Sequence, residues 1–339
     1  MGNRDAQEGT RPVTGTVVIG LNAAIMAVTG EAPRVLTVRR AAQAQAGAGV
    51  SSARRDAAVS LPSGPLDPTG DRTLELGLRG WVRQQAGLEL GYVEQLYTFA
   101  DRFRDPRERA GGPRTVSVAY VALVREGDVA GTAEASWRDA YTFLPWEDWR
   151  EGPPAAMAGR IVPALARWCR EATGPLRRSR AERAEIAFGL RGAKWDPDRV
   201  LERYELLYEI GVVAEAVRDD RARPAGDALL GEAMALDHRR ILATALGRLR
   251  GKIRYRPVVF ELLPDTFTLN HLQRVVEALT GVRLHKQNFR RLVEHAGLVE
   301  GTGHVESQTG GRPAELFRFR REVLRERRAP GVGVSPARR

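Results

Sequence analysis

Between Thr268 and Ala296 the sequence holds two amphipathic helical repeats with only Val282-Arg283-Leu284 between them, and that spacing leaves few ways to fold. Leu269, Leu272, Val275 or Val276, and Leu279 recur at helical spacing behind Thr268, a side chain suited to capping a helix N-terminus. Gly281 stands where a left-handed C-cap is needed. A second helix is expected from about His285 to Ala296, with Phe289, Leu292, Val293 and Ala296 inward and Gly297 as its stop. Two short helices joined so tightly bury their apolar stripes against each other as a helix-turn-helix. Lys286, Gln287, Arg290 and Arg291, with Asn288 beside them, occupy the outer face of the second helix in its first two turns. In such motifs that part of the helix enters the major groove, where Arg and Lys suit guanine edges and Asn and Gln suit adenine edges.

Two strands are expected next, Leu298–Val305 and Ala314–Arg320, with Phe317 and Phe319 on one face. The turn between them holds Gly310-Gly311-Arg312-Pro313, the composition of a wing whose Arg312 reaches a phosphate or a minor groove. The DNA-contacting set expected from this segment is Thr268, Lys286, Gln287, Asn288, Arg290, Arg291 and Arg312.

Charge supports the same reading. From Arg248 to Arg339 there are 19 Lys and Arg against 9 Asp and Glu, so this last quarter carries +10 of the chain's net +11. A basic block can be a solvated face or a charged tail, but confined to one domain it is also the footprint of a nucleic-acid binder. Aromatic content is only 6%, which argues against the base-stacking platforms of single-stranded RNA readers.

Upstream, Val13–Val28 and Pro33–Arg39 read as strands around the turn Thr29-Gly30-Glu31. Ala41–Ala58 is an aperiodic Ala, Gln, Gly, Ser and Arg stretch, read as a surface loop, and Leu61–Asp71 is punctuated by prolines and glycines. Arg72–Ala86 reads as a helix stopped by Gly87, Leu88–Phe99 and Arg114–Arg125 as strands, and Ala100–Pro113 as a charged loop. This is an α+β pattern. Helices are expected over Ala155–Thr173, Ala181–Leu190, Asp196–Val217 and Gly231–Arg250, with a linker at Asp219–Asp227 and a short helix within Arg254–Leu263 closed by Pro264.

Cys169 is the one cysteine, so no disulfide forms within the chain. The polar stretch Met1–Pro12 lacks a signal-peptide core, and Val17–Val28 is too short to span a bilayer. A cytoplasmic protein is expected, nucleoid-associated when bound to DNA, with no membrane partner.

Leu61-Pro62-Ser63-Gly64-Pro65-Leu66-Asp67-Pro68, followed by a helix ending Gln84-Gln85-Ala86-Gly87-Leu88, resembles the Nudix loop–helix–loop. That resemblance implies an α/β/α sandwich and, in active Nudix hydrolases, helix carboxylates that hold divalent metal at a diphosphate. Aligned back from Gly87, the Arg-Glu position is Gly80-Trp81, the Glu-Glu position is Gln84-Gln85, and the earlier Glu falls on Arg72. Gln is a weak ligand for a hard cation and Trp is none. Asp67, Asp71 and Glu75 lie off the motif's spacing. No metal site, no catalytic residue and no required cofactor are expected.

The runs Val259-Phe260-Glu261-Leu262-Leu263-Pro264, Phe267-Thr268-Leu269, Lys286–Arg291, Gly311-Arg312-Pro313-Ala314 and Asp237-His238-Arg239-Arg240-Ile241-Leu242 resemble Nudix-related transcriptional regulators of NAD metabolism. Tyr92–Phe99 and the long helical middle are closer to their larger NadQ-like branch than to the NrtR-like one. The resemblance implies a bacterial repressor of NAD biosynthesis or salvage genes. Its effector would be an adenine nucleotide such as NAD, ADP-ribose or ATP. Its operator would be a palindromic DNA duplex read by a homodimer.

The expected organisation is therefore a degenerate Nudix-like sensing domain over 1–150, a helical linker or dimerisation region over 151–250, a winged helix-turn-helix over 251–325 and a disordered basic tail over 326–339. Candidate effector contacts are Ser63 and Gly64, whose backbone permits close approach, and Arg102, Arg104 and Arg107, whose guanidiniums match a diphosphate. A solvated charged loop is the competing reading of those arginines. Asp237 and His238 read either as a catalytic pair or as helix packing. Trp137, Trp146 and Trp149 read either as base-stacking or as core. An active Nudix pyrophosphatase with an accessory DNA-binding domain, and an RNA-binding factor, are the alternatives in function.

Overall fold

The computed structural model describes residues 15–39, 59–127, 129–131, 134–221, 229–306 and 313–333. Strands β1 (Val17–Thr29) and β2 (Ala32–Arg39) form a hairpin. Gly30 and Glu31 at its tip both have positive φ, 56° and 66°, the geometry that matches a two-residue turn to the strand twist. Two short strands, β3 (Val59–Ser60) and β4 (Ser63–Pro65), lead into helix α1 (Leu74–Ala86). Thr73 Oγ1 accepts the Leu76 amide at 3.1 Å to cap α1, and Gly87 closes it at φ 68°. Strand β5 (Tyr92–Phe99), the single turn α2 (Pro106–Arg109), β6 (Arg114–Leu123), β7 (Glu134–Asp139) and α3 (Ala140–Phe143) follow.

Seven strands make one mixed sheet in the order β3-β2-β1-β6-β5, with β4 added to β1 and β7 to β2. Its axis is the parallel pair β1 and β6, in register from Val17 opposite Arg114 to Met26 opposite Leu123. From Leu21 to Ala27 every β1 residue is buried, as in a strand covered on both faces. Leu21, Ala23 and Ile25 pack with Leu78 and Val82 of α1. Burying each of those large side chains contributes about 1.5–3 kcal/mol. Ala24 and Met26 face the opposite layer, whose long element is a helix from much later in the chain.

That layer is reached through a helical insert. A π-helical turn (Met157–Ile161) runs into α4 (Val162–Arg170), then come α5 (Gly174–Phe188), α6 (Val200–Glu209) and α7 (Ala214–Arg218). Helix α8 (His238–Ile253) returns beneath the sheet, with Ile241, Leu242, Ala245 and Leu249 in one core with Ala24, Met26 and Val121. The α/β/α sandwich is thus built from two stretches: its second helical layer is α8, within the segment the sequence assigns to a helical region. Other departures are local. The helix expected over Asp196–Val217 breaks into α6 and α7 because Gly211 takes φ 77°. The helix expected from Gly231 starts at His238, since Glu232 and Ala235 give their amides to Thr142 and Val59 instead of to a helical turn. No helix among the described residues is long and apolar enough to cross a membrane.

The chain ends in a small domain. A 3-10 turn (Val258–Leu262) precedes β8 (Phe267–Thr268), α9 (Leu269–Thr280), α10 (Lys286–His295), β9 (Val299–Glu306), β10 (Ala314–Phe319) and the single turn α11 (Val323–Glu326). The three strands form a sheet in the order β8-β10-β9.

Candidate nucleic-acid interface and ligand pocket

Helix α9 is the internal member of the helix-turn-helix, with Leu272, Val275, Val276 and Leu279 essentially without exposure. The turn to α10 is fixed by a buried carboxylate. Glu277 Oε1 accepts the Leu284 amide at 2.9 Å and Gln273 Nε2 at 2.8 Å, while Oε2 accepts Arg283 Nη1 at 3.1 Å. Phe289 and Val293 plug α10 into the core. Lys286, Gln287, Asn288, Arg290 and Arg291 all remain exposed on its outer face, and Arg291 Nη2 donates to Asn288 Oδ1 at 2.8 Å. The strand hairpin is rooted by Phe319 stacked on Phe260, with ring centroids 4.3 Å apart.

Two members of the expected DNA-facing set stand apart. Thr268 is 8% exposed and its hydroxyl accepts the His271 amide at 3.1 Å, so the side chain is occupied in capping α9. Its placement gives it a structural task in place of a base or phosphate contact. Arg312 lies outside the described residues, as does the whole of the expected loop Ala41–Ala58.

The small domain is tied to the sandwich at the C-terminus of α9, where carbonyls need donors. Tyr141 Oη donates to Ala278 O at 2.6 Å, Arg250 Nε to Leu279 O at 3.0 Å, and the Trp149 amide to Gly281 O at 2.6 Å. Behind them Glu147 is wholly buried between Arg203 and Arg250, at 2.6 and 2.5 Å. Burial alone would raise the Glu147 carboxyl, but the two guanidiniums outweigh it and hold it below the usual carboxylate range. Burial pushes the Tyr141 phenol up to about 12, so it stays a donor. At the rim, Arg274 and Arg283 of the small domain pair with Glu31 of the β1–β2 turn.

On the other face of the sheet, the positions where the Nudix resemblance implies metal carboxylates act as structural ties. Gln85 clamps the backbone of Ser63, accepting its amide at 3.1 Å and donating to its carbonyl at 2.8 Å. Trp81 Nε1 donates to Pro65 O at 2.8 Å, and its ring lies against Gly64 so closely that a Cβ there would sit 2.1 Å away. The space a ligand would need beside Ser63 and Gly64 is filled by Trp81 and Gln85, which corrects their placement as effector contacts. Glu75 pairs with Arg79, and Asp71 accepts the Asp67 amide at 2.9 Å. Among the described residues no group of three or more His, Cys, Asp or Glu could hold a metal ion. The residues present do not fit the divalent cation of an active Nudix site.

A cavity of about 380 Å³ opens where the β5–β6 loop meets α6, α7 and the start of α8. Arg102 and Arg104 line it, together with Arg240, Asp237, Tyr208 and Arg218. Arg102 is exposed, its guanidinium 4.8 Å above the Phe103 ring. Arg104 is 3% exposed and bidentate to Asp237, with Nη1 on Ser117 Oγ at 2.6 Å. Burial and the adjacent Asp219 carboxylate, which accepts the Tyr208 hydroxyl at 3.0 Å, push that phenol up to about 12. Arg107 does not line the cavity: its guanidinium folds back onto Asp105 at 2.6 Å. Asp237 and Arg240 belong to a run the sequence singles out, yet as helix contacts, not as cavity wall. His238 Nδ1 accepts the Leu61 amide at 2.9 Å inside the core, and Trp146 and Trp149 are core residues.

The fold thus joins a Nudix-type sandwich to a C-terminal winged helix whose second helix is polar and basic. Residues 259–319 match the family model of the NrtR DNA-binding winged helix domain. Over 86 residues the chain is 41% identical to the "ADPR responsive transcriptional repressor NtrR" of Acinetobacter baylyi (strain ATCC 33305 / BD413 / ADP1). That stretch is 25% of this chain and 34% of the relative, so the match spans about a third of the relative's length. Shewanella oneidensis NrtR complexed with a 27mer DNA shares the fold at a TM-score of 0.54 and 20% identity, covering 91% of this chain and 95% of that one. A MutT/nudix family protein from Enterococcus faecalis shares it at 0.52 and 15% identity, covering 91% and 89%.

Proposed function

We propose that the chain is a transcriptional repressor that reads duplex DNA with its winged helix and answers to an adenine nucleotide diphosphate. The observation that carries this is the exposed face of α10: five side chains able to address base edges or phosphates, on a helix held by Phe289 and Val293. The ADPR-responsive repressor of A. baylyi, matched over 86 residues, supports both the repressor activity and ADP-ribose as effector, ahead of NAD and ATP. The proposed DNA contacts are Lys286, Gln287, Asn288, Arg290, Arg291 and the wing's Arg312. The proposed effector contacts are Arg102 and Arg104, in the cavity beside α8. Two copies would read the half-sites of a palindrome, as two-fold symmetric helix-turn-helix proteins do.

Without carboxylates at positions 72, 81, 84 and 85, the chain would bind a diphosphate without hydrolysing it. Ligand would weaken operator binding and so relieve repression of NAD biosynthesis or salvage genes. The test is fluorescence anisotropy of the full chain with promoter duplexes, against single-stranded RNA of the same sequence, with and without ADP-ribose. Selective duplex binding that falls on adding ADP-ribose is the expected result. Preference for RNA, or Mg²⁺-dependent release of AMP from ADP-ribose, would overturn the reading.

A further inference from the structure

The cavity beside α8 is closed by a pair of ion pairs that join the β5–β6 loop to the first turn of that helix. Asp237, the residue before α8, gives both carboxylate oxygens to Arg104 and makes no capping bond to the helix it precedes. One turn on, Arg240 Nη1 reaches Asp101 Oδ2 of the loop at 2.5 Å. Between these anchors Phe103 sits at φ 64°, a region unfavourable for a bulky residue, held there by Glu108, which accepts its amide at 2.7 Å. Arg104 and Arg240, the two guanidiniums of these pairs, both face the cavity.

The other end of α8 is the support of the DNA-reading domain. Arg250 in its last turn is buried, donates to Leu279 O at the end of α9, and shares Glu147 with Arg203. A helix of 16 residues, about 24 Å long, therefore connects the cavity to the carbonyl end of α9. Its inward face is buried along the whole length, from Ile241 to Ile253.

We propose that Arg104–Asp237 and Arg240–Asp101 form a latch that a ligand diphosphate opens, shifting α8 and with it the winged helix. This rests on the reading that the cavity is the effector site. Phosphate oxygens suit a guanidinium fork as well as a carboxylate does, and they replace Asp237 and Asp101 as its partners. The freed Asp237 then stands at the N-terminus of α8, where an Asp side chain is a preferred cap and favoured by the helix dipole. Asp237 thus has two arrangements, one on Arg104 and one on the helix, and the ligand biases the choice between them. Linkage makes the effect reciprocal: operator DNA weakens ligand binding by the same factor that ligand weakens DNA binding.

The test uses the full chain, ADP-ribose as probe, operator anisotropy and calorimetry. Asp237→Ser keeps a capping side chain but cannot pair with Arg104. Its operator affinity without ligand should fall to that of ADP-ribose-saturated wild type, a drop of roughly 5- to 150-fold. It should still bind ADP-ribose, and ligand should no longer alter its operator affinity. Wild-type operator affinity with an intact ligand response would overturn the latch. Should the variant fail to fold, hydrogen exchange on the wild-type protein decides. ADP-ribose must change protection at residues 238–242 and at 278–281 together, and a change confined to the cavity overturns the proposal. The reading of the cavity fails separately: Arg102→Ala and Arg104→Ala would then bind ADP-ribose with wild-type affinity.

Discussion

Glu277→Ala tests whether the turn between α9 and α10 is held by one carboxylate. The substitution removes the acceptor of the Leu284 amide and of Gln273 Nε2, and one of the anions around Arg283. Gln273 keeps Leu284 O at 3.0 Å, and Arg283 keeps Glu31 and Glu151, so neither is orphaned. The Leu284 amide has no substitute acceptor, and leaving such a donor unsatisfied costs about 1–3 kcal/mol. With the two weakened contacts, the loss at the turn is about 2–4 kcal/mol. Because α10 takes its angle from this turn, the same energy is charged against presenting Lys286–Arg291 to a groove. Operator affinity should therefore fall by at least about tenfold, the equivalent of 1.4 kcal/mol. Hydrogen exchange of the 281–288 amides reads the local opening directly, and anisotropy reads DNA binding. Glu277→Gln keeps an oxygen for Leu284 and should lose less than half as much. Unchanged exchange at Leu284 together with wild-type operator affinity in Glu277→Ala would refute the reasoning.

Three other outcomes are expected. Arg290→Ala should relax sequence preference by about 1–3 kcal/mol at one base position, whereas Arg312→Ala should weaken binding to all sequences alike and lower the salt slope by about 1, both readable in a salt titration with specific and scrambled duplexes. Gly64→Ala drives a methyl into the Trp81 ring and should destabilise the sandwich by about 1–3 kcal/mol, measured as a lowered unfolding midpoint with the fluorescence change of Trp81. The Glu147 carboxyl has a folded-state pKa below its unfolded value, so the stability it contributes is present above roughly pH 4.3 and is lost as pH falls further through the folded value. Fluorescence of Trp146 and Trp149, which flank Glu147, should report undocking in that acid window, and Glu147→Gln should be weakened by about 3–5 kcal/mol at neutral pH, because Arg203 and Arg250 are left buried without their anion.

The sequence was legible where local rules agree with the final packing. Thr268, Leu272, Leu279 and Gly281 announce α9 because cap, stripe and stop are all local, and the structure places each accordingly. The exposed set on α10 follows from the same periodicity, since Phe289 and Val293 fix which side faces in. Thr73 and Gly87 bound α1 in the same way. Strand β7 was not legible: in Glu134–Asp139 only Ala135 and Trp137 alternate as apolar residues, too short a signal, and the segment is a strand because β2 offers it an edge, from Arg34 opposite Asp139 to Arg39 opposite Glu134.

The cavity was hidden for a related reason. Its walls come from four separated stretches, and the arginines of the 101–107 loop look equivalent in sequence. What separates them is partnership. Asp105 is near enough in the chain to fold Arg107 back on itself, while Arg104 finds Asp237 across 133 residues and is thereby drawn inside. The same long-range logic explains Gln85 and Trp81. Their loss of carboxylate character is visible in the sequence, but only the packing gives it a consequence: the two side chains fill the space beside Ser63 and Gly64 where a metal-bound diphosphate would sit. On the opposite face of the sheet, the cavity that Arg104 lines is bounded by the start of α8, the helix whose last turn holds the end of α9 through Arg250.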